Sequence, residues 1–249
     1  MTWSIIALDE ASGALGLVIV SRHTALGSLG PHGRGGVGLV VTQGMTDPIC
    51  GESALAHVEN GIEPARALEK ALRGSQGPDD CQIHLIDASG RHAARTGSDC
   101  PHWCGHISGR HVSICGNGLP GPETVEATLE AFERGSQSRF GARLLRAVRA
   151  GEAAGGKGSE RRSAALRIYG DALFPLLDLR VDDHADALNQ MTAIYVGRAD
   201  ECIGFSEAVQ GGGRGEGRKS LSGPSGPIGG EDAGDFLRKA RGSGRSTRI

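Results

Sequence analysis

An α+β chain folded as a four-layer α/β/β/α sandwich is the architecture this sequence predicts. Three observations lead there. The chain opens with two apolar runs, 2–9 and 14–22, joined by a Ser-Gly turn, which reads as a β-hairpin. The later segments come in blocks: three strands, two helices, three strands, two helices and one more strand. A doubly wound sheet would alternate strand and helix instead. The helical segments are one-sided in their apolar residues. Two stacked sheets with a helical pair outside each would bury every such face.

The elements follow in order. After the hairpin, the glycine-rich stretch 27–38 reads as a flexible connection into a third strand, 37–43. Two helices, 53–60 and 64–73, end at Gly61 and Gly74, and Pro64 opens the second. Strands 81–87 and 91–96 flank the turn Ala88-Ser89-Gly90, and 111–115 reads as another strand. The stretch 116–122 reads as a tight loop. Helix 122–134 carries Val125, Leu129 and Phe132 on one face, and helix 139–150 carries Phe140, Leu144, Leu145 and Val148. A strand at 162–169 and a helix at 183–191 complete a domain of residues 1–196. From 197 to 249 the chain is rich in Gly, Ser and Arg and reads as a disordered tail.

Composition narrows the function classes. With 38% hydrophobic but only 4% aromatic residues, the core is built from Leu, Val, Ile and Ala. A net charge of −2 makes no electrostatic case for nucleic acid or an anionic membrane. No apolar run approaches the roughly 18 residues of a membrane span. The opening residues carry no export signal, and six scattered cysteines suit a reducing compartment. The expected location is the cytoplasm, with no nucleic-acid or membrane partner.

Thr2 carries the sharpest chemical reading. Methionine is often trimmed before a small residue, which would expose Thr2 with a hydroxyl nucleophile and a free α-amine of pKa about 8. The plain alternative is an ordinary small residue after Met1. Gly33-Arg34-Gly35-Gly36-Val37-Gly38 fits G-x-G-x-x-G but precedes its strand, so a dinucleotide site is rejected. Cys100, His102, Cys104 and His106 alternate along one segment, a spacing that rarely converges on zinc. No metal or other cofactor is expected. Between Asp178 and His184, Arg180 and Asp182 read either as a carboxylate-binding pair or as an ion-paired strand end. Asn117 and nearby amides read either as an oxyanion hole or as a turn.

Together these segments resemble the domain-of-unknown-function 1028 family, whose members have the fold of N-terminal-nucleophile hydrolases. The likeness rests on Thr2-Trp3-Ser4-Ile5-Ile6-Ala7, Ser21-Arg22, Gly36-Val37-Gly38, Thr42-Gln43 and Asp47-Pro48. It continues through Thr96-Gly97, Cys100, Trp103, Gly105-His106, Gly116-Asn117, Gly121-Pro122, Gly155-Gly156, Ser163-Ala164-Ala165-Leu166 and 178–184. The first hairpin is also similar to that of proteasome β-subunits. One departure stands out: an acidic residue expected after Gly155-Gly156 is Lys157, and Arg162 precedes Ser163.

The resemblance implies amide-bond hydrolysis by Thr2, with its amine as base and Asn117 at the oxyanion. Arg22, Gln43, His106, Arg180 and Asp182 are the expected substrate contacts, and the substrate a small amide or peptide. The alternative, suggested by Lys157, is a binding protein that keeps the fold without the chemistry. A homo-oligomer is the one further assembly the sequence leaves room for.

Overall fold

The computed structural model describes residues 1–75, 77–100, 102–135, 138–155 and 161–211. In chain order the elements are β1 (Thr2–Leu8), β2 (Leu15–Ser21), α1 (Leu26–Leu29), β3 (Pro31–Arg34), β4 (Gly38–Gly44), α2 (Pro48–Glu59), α3 (Pro64–Leu72) and β5 (Cys81–Asp87). They continue with β6 (His92–Thr96), β7 (Trp103–Gly109), β8 (Val112–Leu119), α4 (Glu123–Arg134), α5 (Phe140–Ala154), β9 (Ser163–Tyr169), β10 (Leu177–Val181) and α6 (Ala187–Gly211). One antiparallel sheet has the order β10-β9-β2-β1-β8-β7 and the other β3-β4-β5-β6.

The opening hairpin forms because its turn satisfies itself. Asp9 accepts from the Ser12 amide and hydroxyl, and Gly13 takes φ +75°, which costs a glycine little. Period-2 alternation then sends side chains to opposite faces. From β1, Trp3, Ile5 and Ala7 join a core with Val125, Leu144, Leu145 and Met191 of α4, α5 and α6. Ile6 points the other way and meets Leu17, Ile19, Leu39, Val41 and Ile86 between the sheets. On the far face of the second sheet, Val40, Ile83 and Leu85 pack against Ala54, Leu55 and Leu68 of α2 and α3. Each fully buried Leu or Ile contributes about 1.5–3 kcal/mol, so this alternation fixes the register.

Several expectations need correction. The stretch 27–38 is not a loose connection: it holds α1 and β3. Its glycines serve close approach. A Cβ on Gly27 would lie 2.5 Å from the Ala165 Cβ, and one on Gly35 would lie 2.0 Å from the Ala172 carbonyl oxygen. Helix α2 starts at Pro48 rather than at 53, because Asp47 caps it by accepting from the Cys50 amide at 2.9 Å. Residues 116–119 are not a loop but the end of β8, paired with β1 and β7. β7 and β10 are additional strands; β7 was obscured by its mixed polar composition, β10 by the charges that alternate along it.

The last predicted helix begins at Ala187 and continues through Gly197 to Gly211, burying Leu188, Met191, Tyr195 and Ala199. Lys157 and residues 212–249 lie outside the described residues. Among the described residues, no helix is long and apolar enough to cross a membrane.

Candidate functional site

Along the faces that the sheets turn toward each other, residue type changes in one direction on β1, β2, β4 and β5. β1 passes from Ile6 to Ser4 and Thr2, and β2 from Leu15, Leu17 and Ile19 to Ser21. β4 passes from Leu39 and Val41 to Gln43, and β5 from Ile86 to His84 and Gln82. β8 adds Ser113 and Asn117. One end of the inter-sheet layer is therefore apolar and the other polar, although both are buried.

The polar end is closed by a hydrogen-bond network with a definite direction. Ser4 Oγ donates to Gln43 Oε1 at 2.7 Å, so it accepts from His84 Nε2 at 2.9 Å. His84 Nδ1 is then left to accept from Ser113 Oγ at 3.1 Å. This pattern holds a neutral imidazole in one tautomer. Burial pushes His84 down to about 3, with His106 and His92 adding repulsion.

Gln43 Nε2 donates to Gln82 Oε1 at 2.7 Å, and Asn117 Nδ2 donates to the same oxygen at 3.2 Å. Gln82 Nε2 reaches Thr96 Oγ1, the Gly105 carbonyl and the Gly116 carbonyl at 2.8, 2.9 and 3.0 Å. From β5, Gln82 is thereby bonded to β4, β6, β7 and β8. Thr96 Oγ1 lies 2.9 Å from Nδ1 of the exposed His106, where the network meets the surface.

Thr2 stands beside this network at the start of β1, in register with Ser21 on one side and Asn117 on the other. Its Oγ1 is 2.8 Å from Ser21 Oγ, which also accepts from the His23 amide at 3.0 Å. Asn117 commits one Nδ2 hydrogen to Gln82, and its second has no acceptor among the described residues.

Met1 extends the ladder past Thr2, since the Arg22 amide donates to the Met1 carbonyl at 3.1 Å. Met1 is 8% and Thr2 2% exposed in this form. Burial, and then the Arg22 guanidinium, lower the chain-terminal amine to about 6. The Arg22 side chain is exposed and makes no hydrogen bond or ion pair among the described residues.

The expected site residues thus divide. Thr2, Asn117 and Arg22 meet at one place, and Gln43 and His106 join them through Gln82 and Thr96. Arg180 and Asp182 do not. They pair with each other at 3.4 Å on the outer strand, where Arg180 follows Ala165, Ile19 and Ser4 in register. Three strand spacings put it roughly 14 Å from β1. Two surface clefts, of about 180 and 530 Å³, lie against α2 and α3 and do not include Thr2. Among the described residues, no three His, Cys, Asp or Glu side chains come together as metal ligands.

Ser4, Gln82, His84 and Ser113 went unread as site residues in the sequence. The signal was present: Thr2 and Ser4, and again Gln82 and His84, recur every second residue inside otherwise apolar strands. Such a stripe puts polar groups on one face of a buried strand.

The chain is similar to solved structures. Protein SPO2555 from Silicibacter pomeroyi, a protein of the DUF1028 family, is 27% identical over 81% of this chain and 93% of its own, with a TM-score of 0.74. Anbu (ancestral beta-subunit) from Yersinia bercovieri is 14% identical over 88% of this chain and all of its own, with a TM-score of 0.41. An Anbu (Gly-1) mutant from Hyphomicrobium sp. strain MC1 is 12% identical over 83% of this chain and all of its own, at 0.44. No curated protein matches. The family of unknown function DUF1028 matches over residues 2–191, and the chain belongs to that family.

Proposed function

We propose that this protein is an amide-bond hydrolase of the N-terminal-nucleophile type, in which Thr2 becomes the nucleophile once Met1 is removed. The three apolar clusters are read as the interfaces of a four-layer α/β/β/α sandwich whose inner layer ends at this threonine. The observation that carries the reading is the placement of Thr2. It heads a central strand, its hydroxyl touches Ser21 Oγ at 2.8 Å, and Asn117 stands opposite it in register.

The chemistry follows from those neighbours. Thr2 Oγ attacks the amide carbon of a small amide or peptide, and the freed α-amine takes the hydroxyl proton. Burial and the Arg22 guanidinium lower the present Met1 amine, and Arg22 stands close enough to disfavour protonation of an amine at this end of β1. The free Nδ2 hydrogen of Asn117 meets the oxyanion. As the C–N bond breaks, the proton passes to the leaving amine, and water then hydrolyses the ester on Thr2. Arg22, exposed and unpaired among the described residues, suits a substrate carboxylate.

The test has two parts. Intact mass should be lower by one methionine. Hydrolysis of a panel of short peptide amides should then fall roughly a thousandfold or more in Thr2→Ala. Activity equal to wild type in Thr2→Ala refutes the proposal. One observation favours a second reading, a binding protein without catalysis: Met1 fits the ladder, its carbonyl bonded to the Arg22 amide and its side chain buried. A mass that includes methionine, together with no turnover, selects that reading.

A further inference from the structure

The chemistry at Thr2 leaves one pair of cysteines unused. Cys100 lies on the connection from β6 to β7, and Cys104 follows as the second residue of β7. Between them the chain turns through His102, in the left-handed region at φ +59°. That turn brings the two side chains together. The Cys104 thiol donates to the Cys100 carbonyl at 3.4 Å, and it is near enough to hydrogen-bond the Cys100 thiol and to oppose its ionisation. Cys100 Sγ in turn donates to the Asp80 carbonyl at 3.5 Å. Cys100 is buried and Cys104 half-buried, so one sulfur of the pair meets solvent and the other stands behind it. The other thiols are placed differently. Burial pushes Cys50 up to about 11 and Cys81 up to about 12, and raises Cys115 well above its ordinary value. All three therefore stay protonated and unreactive at neutral pH. Cys202 is half-buried and is the one cysteine of α6.

We propose that Cys100 and Cys104 form a peroxide-reactive dithiol that closes to a disulfide, tying the crossover between the two sheets to the edge strand β7. The Cys104 sulfur attacks one oxygen of hydrogen peroxide and the O–O bond breaks. The departing oxygen takes up the thiol proton and leaves as water, and Cys104 is then a sulfenic acid. The Cys100 sulfur attacks the Cys104 sulfur, the S–O bond breaks, and a second water carries away the Cys100 proton. Two thiols lose two hydrogens and two electrons, and one hydrogen peroxide becomes two waters. The first step eases the second, because a sulfenic acid at Cys104 lacks the thiolate charge that opposes ionisation of Cys100. The backbone permits the closure. The β7–β8 ladder is irregular between Trp103 and Gly105, and Cys104 has no ladder partner there. Its sulfur can therefore close on Cys100, to a bond of about 2.05 Å, without breaking a β7–β8 pair. The bridge forms one residue from Gly105, whose carbonyl accepts from Gln82 Nε2 at 2.9 Å.

The test exposes the full, reduced chain to hydrogen peroxide, with N-acetylcysteine in the same tube as a free-thiol standard. Remaining thiols are then blocked with N-ethylmaleimide in denaturant. Both cysteines fall in one tryptic peptide, residues 96–110, because Arg95 precedes it and Arg110 ends it. That peptide should become about two daltons lighter and carry no maleimide, and a thiol reductant should restore both labels. Its oxidation should outpace that of Cys202 by roughly tenfold or more. Cys100→Ser should stop at a Cys104 sulfenic acid, trapped as its dimedone adduct, whereas Cys104→Ser should keep Cys100 reduced over the same exposure. Both cysteines still alkylated when the standard has been consumed overturn the proposal. So do a rate no greater than that of Cys202 and a bridge from either residue to any other cysteine. A sulfenic acid trapped on Cys100 overturns the assigned order of attack. The peptide is read on the wild type, so a variant that fails to fold does not shield the proposal, and no outcome depends on whether Thr2 is a nucleophile.

Discussion

The two ends of the inter-sheet layer are buried equally but built differently. At one end Ile6, Leu17, Ile19, Leu39, Val41 and Ile86 form an ordinary dispersion-held core. At the other, Ser4, Gln43, Gln82 and His84 occupy the same faces of β1, β4 and β5, joined by Ser113 and Asn117 of β8, and each is at most 5% exposed. Burying polar groups gains stability only when every donor and acceptor finds a partner, and even then the net gain is about 1 kcal/mol per bond. A folding argument alone would fill both ends with Leu and Ile. The polar end is a directed hydrogen-bond network beside Thr2, and under the proposed function it supports that residue.

That contrast can be broken experimentally. The largest effect belongs to the apolar end: Leu17→Ala should cost about 2–5 kcal/mol in denaturant unfolding, through lost transfer energy and a cavity. A cost below about 1 kcal/mol would mean the layer is not close-packed there.

Next comes acid sensitivity from His84. Its folded value, near 3, lies below its unfolded value near 6.5, so the unfolded state binds the extra proton as pH falls. Stability is full above the unfolded value and declines through the window toward the folded one. Between pH 7 and 4 the loss from this residue should be about 3 kcal/mol. Comparing wild type with His84→Gln isolates it, and identical pH profiles would contradict the buried neutral tautomer.

Ser4→Ala is milder. It strands Gln43 Oε1 and the His84 Nε2 hydrogen, which should cost about 1–3 kcal/mol. Hydrolysis at 25 °C should persist, because Thr2 and Ser21 are untouched. Loss of turnover in a folded Ser4→Ala protein would move Ser4 into the chemistry.

The smallest effect is expected at the far edge. Arg180→Ala should change stability by less than about 0.5 kcal/mol, as for other exposed ion pairs, and leave turnover within a factor of about two. A large fall in kcat/KM would bring Arg180 into the site despite its distance.

Local chemistry made much of the fold legible. The opening hairpin, the helices after Pro64 and Pro122, and the strand at 81–87 follow from turn residues, caps and periodicity, which act over a few neighbours. The start of α2 at Pro48 was missed, although Asp47 before a proline is a capping signal. Glycines misled, since Gly27 and Gly35 read as looseness in sequence but serve tight contacts with Ala165 and Ala172 in space. β7 misled as an edge strand, half exposed along its length, with only Trp103 and Ile107 packed against the core.

By itself, then, the sequence determined that Thr2 heads a strand and that Arg22 closes the first hairpin, whereas Asn117, expected in a loop, lies inside β8. Only the tertiary structure decided that β8 lies against β1 with Asn117 facing Thr2, that Gln82 joins both sheets beneath them, and that Arg180 belongs elsewhere. Strand order in a sheet is set by long-range packing of whole faces, and no short-range propensity carries that information.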